Sequence, residues 1–204
     1  MDLDQAGPVR AVRDAFAAYP GRWWIAGGWA VDLHVGRVRR AHSDIDVLIL
    51  HQDLATFGEF FASRGLVIRD QQSGQVRPWR HPDEVIPGRN TFSFSEAARP
   101  DGYDIEIVVG LADGEDWLFH RGRKLRRRLA AMTHLRDGIP YLGPEIVLLF
   151  KARDGRDKDD ADFADLLPLL TIEQKQWLAP RLAPPGRPDH RWLAALTSSV
   201  SEEQ

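Results

Sequence analysis

The first part of the chain alternates between helical and extended patterns of apolar residues. Val9, Val12 and Phe16 recur at helical spacing and predict a helix over about residues 8–18. The apolar run at 23–25 ends at a pair of glycines, and the segment after the pair reads as a short helix closed by a further glycine. The pattern therefore predicts a strand, a glycine turn and a helix.

Several later segments have the composition of strands. Ser43–Leu50 is rich in β-branched and apolar residues and predicts a strand, and the apolar positions after it predict a helix. A long polar stretch then separates shorter strand-like pieces. These pieces are 66–68, 91–94 and 103–109. Residues 125–142 are expected to add a hairpin with Asp137-Gly138 as its turn.

The pattern becomes helical after residue 142. Pro144 stands where a first helical turn accepts a proline, and Thr171 with Gln174 fits a capping box. We therefore predict two domains, a mixed-sheet α/β domain over 1–142 and a helical domain over 143–204.

Composition excludes several classes of protein. Hydrophobic residues make up 43% of the 204 residues and charged residues 28%, which is typical of a globular protein. The absence of cysteine rules out disulfides, thiolate metal sites and cysteine nucleophiles. No apolar run has the roughly 20 residues of a membrane helix, and the first residues lack the order of a secretory signal, so a cytoplasmic protein is expected.

Charge is distributed unevenly along the chain. The formal net charge of −3 gives no general attraction to nucleic acid, and we expect no nucleic-acid partner. The exception is a basic block at 120–128, which is read as a solvated surface or, alternatively, as a wall for phosphates. The acidic residues of 157–165 are expected to begin a helix and to lie exposed, with attraction of a cationic acceptor as the alternative.

Two pairs of carboxylates carry the candidate chemistry. Asp44 and Asp46 alternate along the predicted strand, so both point to one face. Their repulsion is costly unless a cation lies between them, and oxygen ligands of this kind suit magnesium. Asp104 and Glu106 repeat the spacing on a later strand, and would complete a triad if the two strands are neighbours. The alternative for the first pair is a polar strand face at the solvent, and for the second pair it is an edge strand whose charges discourage aggregation.

Gly27 and Gly28 precede the first carboxylate pair at the mouth of a helix. Free backbone N–H groups and the positive end of the helix dipole can hold phosphate oxygens there. A glycine pair alone is equally consistent with a tight turn. The glycine pair followed by D-x-D is more specific than either part, and it indicates a site for a nucleoside triphosphate.

The segment 24–47 resembles the signature of the nucleotidyltransferase superfamily. It is most similar to the aminoglycoside 2″-O-nucleotidyltransferases, whose GGWA, LGR and H-x-DID pieces correspond to 27–30, 35–37 (here VGR) and 42–46. Lincosamide nucleotidyltransferases are similar in the same region. The resemblance covers about the first 50 residues, and beyond them only the D-x-E strand and the helical second half agree in kind.

The resemblance implies roles for individual residues. It makes Asp44, Asp46 and Asp104 the catalytic carboxylates and magnesium ligands, with Glu106 as a further ligand. It assigns the triphosphate to a set of loop and basic residues. These are Gly27, Gly28, Arg40, His42 and Lys151, the last three of which are otherwise read as surface turn or solvated helix-end residues.

The expected activity is magnesium-dependent transfer of a nucleoside monophosphate, AMP in the first instance, from a nucleoside triphosphate to a hydroxyl of a small acceptor. Two magnesium ions are expected, and aminoglycoside-type antibiotics are among the candidate acceptors. The alternatives are an antitoxin-type enzyme that modifies a toxin partner, a polynucleotide-extending enzyme and a non-catalytic nucleotide-binding module. The sequence gives neither the acceptor nor the oligomeric state.

Overall fold

The computed structural model describes residues 6–95, 99, 102–119, 125–153, 155–183 and 190–201, with the backbone alone for 199–201. Within these ranges the strands are β1 (Trp23–Ile25), β2 (Ile45–Leu50), β3 (Leu66–Asp70), β4 (Val76–Pro78), β5 (Asn90–Phe94), β6 (Ile105–Asp113), β7 (Asp116–Phe119), β8 (Leu125–Arg128), β9 (Thr133–Arg136) and β10 (Ile139–Leu142). The α-helices are α1 (Gly7–Phe16), α2 (Gly27–Val35), α3 (Leu54–Phe60), α4 (Leu129–Met132), α5 (Pro144–Lys151), α6 (Asp157–Leu166), α7 (Ile172–Leu182) and α8 (Leu193–Ser201).

The strands form one mixed sheet in the order β4-β3-β5-β6-β2-β1-β10-β9. The pairs β2–β6 and β1–β10 are parallel and the other neighbours along this path are antiparallel. Strands β7 and β8 continue the sheet from the far half of β6. The predicted mixed-sheet fold with a helical C-terminal region is confirmed.

The two faces of the sheet carry different layers. On one face, α1, α3 and β5 share an aromatic cluster in which the rings of Phe16 and Phe61 lie 4.8 Å apart and those of Phe61 and Phe94 lie 5.1 Å apart. Helix α2 packs against α5 and α6. Strand β2 lies in the middle of the sheet, and all its residues except Asp46 are buried, because neighbouring layers cover both of its faces.

Several sequence predictions hold at the level of elements. The hairpin β9–β10 turns at Asp137 and Gly138, which both have positive φ angles, 51° and 74°, as the tight hairpin turn requires. The capping box of Thr171 and Gln174 is present at the start of α7. Pro184-Pro185-Gly186, a sequence typical of a break between helices, lies outside the described residues.

Other boundaries differ from the predictions in ways that matter for the site. Helix α2 begins at Gly27, so both glycines belong to its first turn. Strands β2 and β6 begin at Ile45 and Ile105, which leaves Asp44 and Asp104 just before their strands. The polar stretch contains the short strand β4, and β7 with β8 forms a hairpin that the pattern did not indicate. Of the helices within the described ranges, none has the length and apolar character needed to cross a membrane.

Candidate active site

The turn after β1 brings the two glycines against the carboxylates of β2. Strand β1 pairs with β2, and the backbone N–H of Ala26 donates to the carbonyl oxygen of Asp46 at 2.8 Å. Gly27 follows with φ of 59°, and a Cβ at this position would overlap Oδ2 of Asp46. A Cβ on Gly28 would lie 2.6 Å from both Nη2 of Arg40 and Nδ1 of His42. Only glycine therefore lets the backbone approach these side chains so closely.

Asp46 faces a carboxylate on the neighbouring parallel strand. The register pairs Asp46 on β2 with Glu106 on β6, and both side chains border one cleft together with Asp44. Burial of Asp46, and then the charges of Asp44 and Glu106, raise the pKa of Asp46 to about 6. Three carboxylates therefore converge where negative charge is poorly solvated, which is an arrangement that a cation would stabilise.

Asp104 lies outside this group. Its carboxylate is about half exposed, and Oδ1 lies 3.6 Å from Nη2 of Arg99. Asp104 is not among the described residues that line the cleft. Asp104 immediately precedes β6, and its carboxylate lies beside Arg99 rather than at the cleft. The structure thus brings Glu106, rather than Asp104, to the first carboxylate pair.

The donor set fits a divalent ion that is shared with a substrate. Among the described residues, no group of three or more histidine, aspartate or glutamate side chains is placed to hold a metal ion by itself. Magnesium commonly takes only one or two protein carboxylates and completes its shell with water and phosphate oxygens. The oxygen donors of Asp44, Asp46 and Glu106, and the raised pKa of Asp46, agree with such an open site.

Lys151 is buried in an ion network at the edge of the cleft. Its Nζ lies 2.7 Å from Asp162 and 3.2 Å from Asp159, and its side chain is 8% exposed. The alternative of a solvated helix end is therefore wrong for Lys151. Asp159 and Asp162 are fully buried rather than exposed as expected, because basic partners from elsewhere in the fold neutralise them.

Arg39 and His42 connect this network to the glycine turn. Arg39 contacts Asp32 at 2.8 Å and Asp162 at 2.5 Å. His42 Nε2 lies 2.7 Å from Oδ2 of Asp32, and its ring lies 4.5 Å from that of Trp29. His42 is thus a buried residue at the cleft, not the surface turn residue of the alternative interpretation, whereas Arg40 borders the cleft and remains partly exposed.

The described part of the basic block lies away from the cleft. Arg127 is 10% exposed and pairs with Glu145 and Glu173, both at 2.9 Å. Arg126 and Arg128 are exposed and lie beside acidic residues of β6 and β7. Residues 120–124 are outside the described ranges. The expected solvated surface fits Arg126 and Arg128 but not Arg127, which is a buried ion-pair partner.

The cleft has a volume of about 670 Å³ and two further sets of lining residues. The first set consists of Arg153, Arg156 and Lys158, which line the cleft together with Lys151. The second set went unnoticed because it lies in the long polar stretch, where no pattern separates ligand-facing residues from solvated ones. It consists of Gln71, Gln72, Asn90 and Thr91.

Comparison with known proteins finds a family match over the carboxylate region. Residues 8–107 match the family model of the aminoglycoside-2″-adenylyltransferases. The matched range contains the glycine turn and all three cleft carboxylates. The helical part after residue 142 lies outside it.

Two solved structures share the fold over most of the chain. The structure of ANT(2″)-Ia in complex with adenylyl-2″-tobramycin has a TM-score of 0.58 at 13% identity and covers 87% of this chain and 97% of its own. The lincomycin-bound lincosamide antibiotic adenylyltransferase LnuA has a TM-score of 0.55 at 19% identity, covering 79% of this chain and 96% of its own. At these identities the likeness concerns the fold.

One curated relative shares a segment of the chain. A tRNA-dihydrouridine(16) synthase of Pseudomonas putida is 40% identical over 106 residues, which are 48% of this chain and 31% of that protein. The chain thus spans less than a third of the length of this relative. The activity in its name is that of the longer protein.

Proposed function

We propose that this chain, whose residues 8–107 match the family model of the aminoglycoside-2″-adenylyltransferases, is a nucleotidyltransferase that transfers AMP from ATP to a hydroxyl group of a small acceptor. The convergence of Asp44, Asp46 and Glu106 beside the glycine turn is the observation that carries the proposal. It combines a site for a cation with a cradle for phosphate in one cleft.

Asp44 and Asp46 are proposed to hold two magnesium ions, with Asp46 central because it faces both Asp44 and Glu106. When bound, the ions would supply charge neutralisation for the triphosphate and for the departing pyrophosphate. The carboxylates would determine where the ions lie relative to the glycine turn. Asp46 does so most rigidly, because the backbone hydrogen bond from Ala26 holds its strand against that turn.

The triphosphate is proposed to lie along the glycine turn and the basic side of the cleft. Backbone N–H groups at Gly27 and Gly28 open α2, where the helix dipole favours an anion. Arg40, Arg153 and Lys158 add positive charge along the same cleft. Lys151 already pairs with two aspartates of α6. Its proposed role is therefore to hold α5 and α6 together at the site, not to act as an independent phosphate ligand.

Glu106 is proposed to accept the proton of the acceptor hydroxyl. The oxygen of that hydroxyl forms the new bond to the α-phosphorus, and the bond from the α-phosphorus to the bridging oxygen of pyrophosphate breaks. The proton passes to Glu106 and then to solvent, and pyrophosphate leaves with the electron pair of the broken bond. Positioning and charge neutralisation supply most of the rate enhancement in such a reaction.

No observation favours the alternative activities. A polynucleotide-extending enzyme would use the basic block as its track, whereas Arg126, Arg127 and Arg128 all have acidic neighbours and none lines the cleft. A non-catalytic module would have no need of a third carboxylate opposite Asp46.

The proposal predicts that nucleotide binding depends on magnesium. ATP should raise the melting temperature with magnesium present and much less with a chelator, because only a ligand that binds the folded state shifts its stability. Differential scanning fluorimetry at a series of ATP concentrations provides the measurement. Equal shifts in the two conditions would rule out a metal-bridged triphosphate.

Asp46→Asn tests the chemistry. The variant keeps the shape of the side chain but removes the central charge, so pyrophosphate release with a verified acceptor should fall by at least about a hundredfold. Asp83→Asn is the matched control, since Asp83 is 91% exposed and does not line the cleft. Normal turnover in Asp46→Asn would show that the mechanism is wrong.

A further inference from the structure

The cleft has two chemically different sides. The basic side comes from the loop before β2 and from α5 and α6, and it includes Arg40, Lys151 and Lys158. The opposite side comes from the end of β3 and the start of β5, beyond Glu106 in the order of the sheet. We call it the amide wall. It consists of Gln71, Gln72, Asn90 and Thr91.

Hydrogen bonds hold the amide wall in place and fix which atoms it offers. Nε2 of Gln71 donates to Oγ1 of Thr91 at 2.7 Å and to Oε1 of Glu106 at 2.8 Å. Both N–H groups of that amide are thereby used, which leaves its carbonyl oxygen and the Thr91 hydroxyl proton for a ligand. Oδ1 of Asn90 accepts from the backbone N–H of Ile86 at 2.8 Å, which leaves Nδ2. The wall thus offers neutral donors and acceptors.

The carboxylates near this wall are already neutralised. Asp70 accepts from Arg89 at 2.8 Å and from the backbone N–H groups of Gln72 and Ser73, and the hydrogen bond from Arg89 is the main cause that lowers the pKa of Asp70 to about 2. Glu84 is paired with Arg77. Asp159 and Asp162 of α6 are likewise already in ion pairs, with Lys151 and Arg39.

The charge balance of the described lining therefore disfavours a polycation. Its carboxylates are Asp44, Asp46 and Glu106. Of its cations, Lys151 and Arg156 are paired with aspartates of α6, and Arg40, Arg153 and Lys158 are assigned to the triphosphate. The first two carboxylates are proposed to serve the metal. A ligand with several ammonium groups would lose their hydration beside the amide wall and would gain one carboxylate in return.

We propose that the acceptor is a polyhydroxylated compound with at most one cationic group, bound through its hydroxyls to the amide wall. This inference rests on the proposed nucleotidyl transfer and names the class of acceptor for that site. Sugar hydroxyls are both donors and acceptors, and they match the free carbonyl of Gln71, the hydroxyl of Thr91 and the amide of Asn90. Glu106 lies beside the same wall, so a hydroxyl held there is close to the proposed proton acceptor.

The test is a binding comparison with the nucleotide site filled. Protein saturated with magnesium and α,β-methylene-ATP is titrated by calorimetry with amine-free glycosides and the monoamine lincomycin, and separately with the polyamine tobramycin. We expect at least one amine-poor ligand to bind about tenfold more tightly than tobramycin. Tighter binding of tobramycin, or no binding by any amine-poor ligand, would overturn the inference.

Gln71→Glu provides the matched variant. It adds a carboxylate beside Glu106 and removes the donors that hold Glu106 and Thr91, so the ratio of amine-poor to tobramycin affinity should fall about tenfold. Gln75→Glu makes the same charge change on an exposed turn that does not line the cleft, and the ratio should not move. If the two variants behave alike, the amide wall does not select the acceptor.

Nucleotide affinity separates the two proposals. It is measured first, with magnesium and α,β-methylene-ATP and no acceptor. Absence of this binding would contradict the proposed function itself, whereas normal nucleotide binding with the opposite ranking of acceptors would contradict the acceptor class alone.

Discussion

Asp104 and Glu106 are two residues apart but have different surroundings. Glu106 lies within β6, opposite Asp46, and accepts a hydrogen bond from Gln71. Asp104 precedes the strand, is half exposed and faces Arg99. The carbonyl oxygen of Asp104 accepts from the N–H of Ile45 at 2.9 Å, so its backbone joins β2 to β6 even though its side chain points elsewhere.

The two residues should therefore respond differently to loss of charge. Glu106→Gln removes the proposed proton acceptor, and pyrophosphate release should fall by about a hundredfold or more. Asp104→Asn should retain turnover within a few-fold, because the backbone bond to Ile45 remains and the charge lies outside the cleft. Steady-state kinetics with a verified acceptor measure both. The reverse ranking would restore the role that the sequence resemblance implied for Asp104.

Residues of the site differ in how far local sequence can reveal them. Gly27, Gly28, Asp44 and Asp46 occur in one short segment, so their proximity follows from a strand, a turn and a helix. Asp104 and Glu106 are two residues apart, so side-chain alternation does not choose between them. The contact of Asp104 with Arg99 does, and it follows from the path of the chain before β6. Gln71 and Thr91 reach the site only because β3, β5 and β6 are neighbours in the sheet, which no local pattern shows.

At the scale of elements, buried charges hold α2 against α6. The side chain of Arg39 is 7% exposed and contacts Asp32 on α2 and both Asp162 and Asp165 on α6. Asp32 also holds His42 at the cleft. The position of the glycine turn at the start of α2 thus depends on contacts with a helix from the other end of the chain.

Removal of the Arg39 side chain should destabilise the folded protein. Arg39→Met leaves Asp32 and Asp162 buried without their guanidinium partner, and the free energy of unfolding should fall by about 3–5 kcal/mol. Arg39→Lys keeps the charge and should lose less. Arg126→Met is the control at an exposed ion pair, where a change of about 1 kcal/mol or less is expected. Urea denaturation compares them, and similar losses in Arg39→Met and Arg126→Met would contradict a structural role for the network.

Elements whose determinants are local were predicted well, and those defined by distant partners were not. The capping box of α7 and the Asp137-Gly138 turn are encoded within a few residues. Strands β4 and β8 are three and four residues long and mostly polar or proline-containing, so neither an apolar run nor a period marks them. The burial of Asp159 and Asp162 likewise depends on Arg39 and Lys151, which lie elsewhere in the sequence.

At the scale of the whole molecule, a rise in pH should lower the contribution of Asp46 to stability and strengthen the binding of magnesium and nucleotide. Because the folded-state pKa of Asp46 is raised to about 6 from an ordinary 3.8, the folded protein favours its protonated form. The contribution of Asp46 to stability is therefore greatest below about pH 4 and is lost as pH rises through about 6. Magnesium-nucleotide binding needs the ionised carboxylate, so affinity should weaken as pH falls below about 6.

The variant Asp46→Asn isolates the effect of Asp46 ionisation on the stability of the fold. The stability of the variant relative to the natural protein should increase between pH 4.5 and pH 7.5 by about 1–3 kcal/mol, since the ionised Asp46 is no longer present to destabilise the fold. Urea denaturation at the two pH values without nucleotide gives this difference. A constant difference across the range would mean that Asp46 titrates normally in the folded protein.

The parallel pairing of β1 with β10 has a consequence for the order of folding. Ile25 pairs with Tyr141, so one edge of the strand that leads into the glycine turn stays open until most of the chain has emerged from the ribosome. Its other edge can pair early with β2, which is close in sequence. Contacts between distant segments form slowly because loop closure is costly in entropy. During synthesis, the glycine turn is therefore among the last parts of the sheet to acquire its final surroundings.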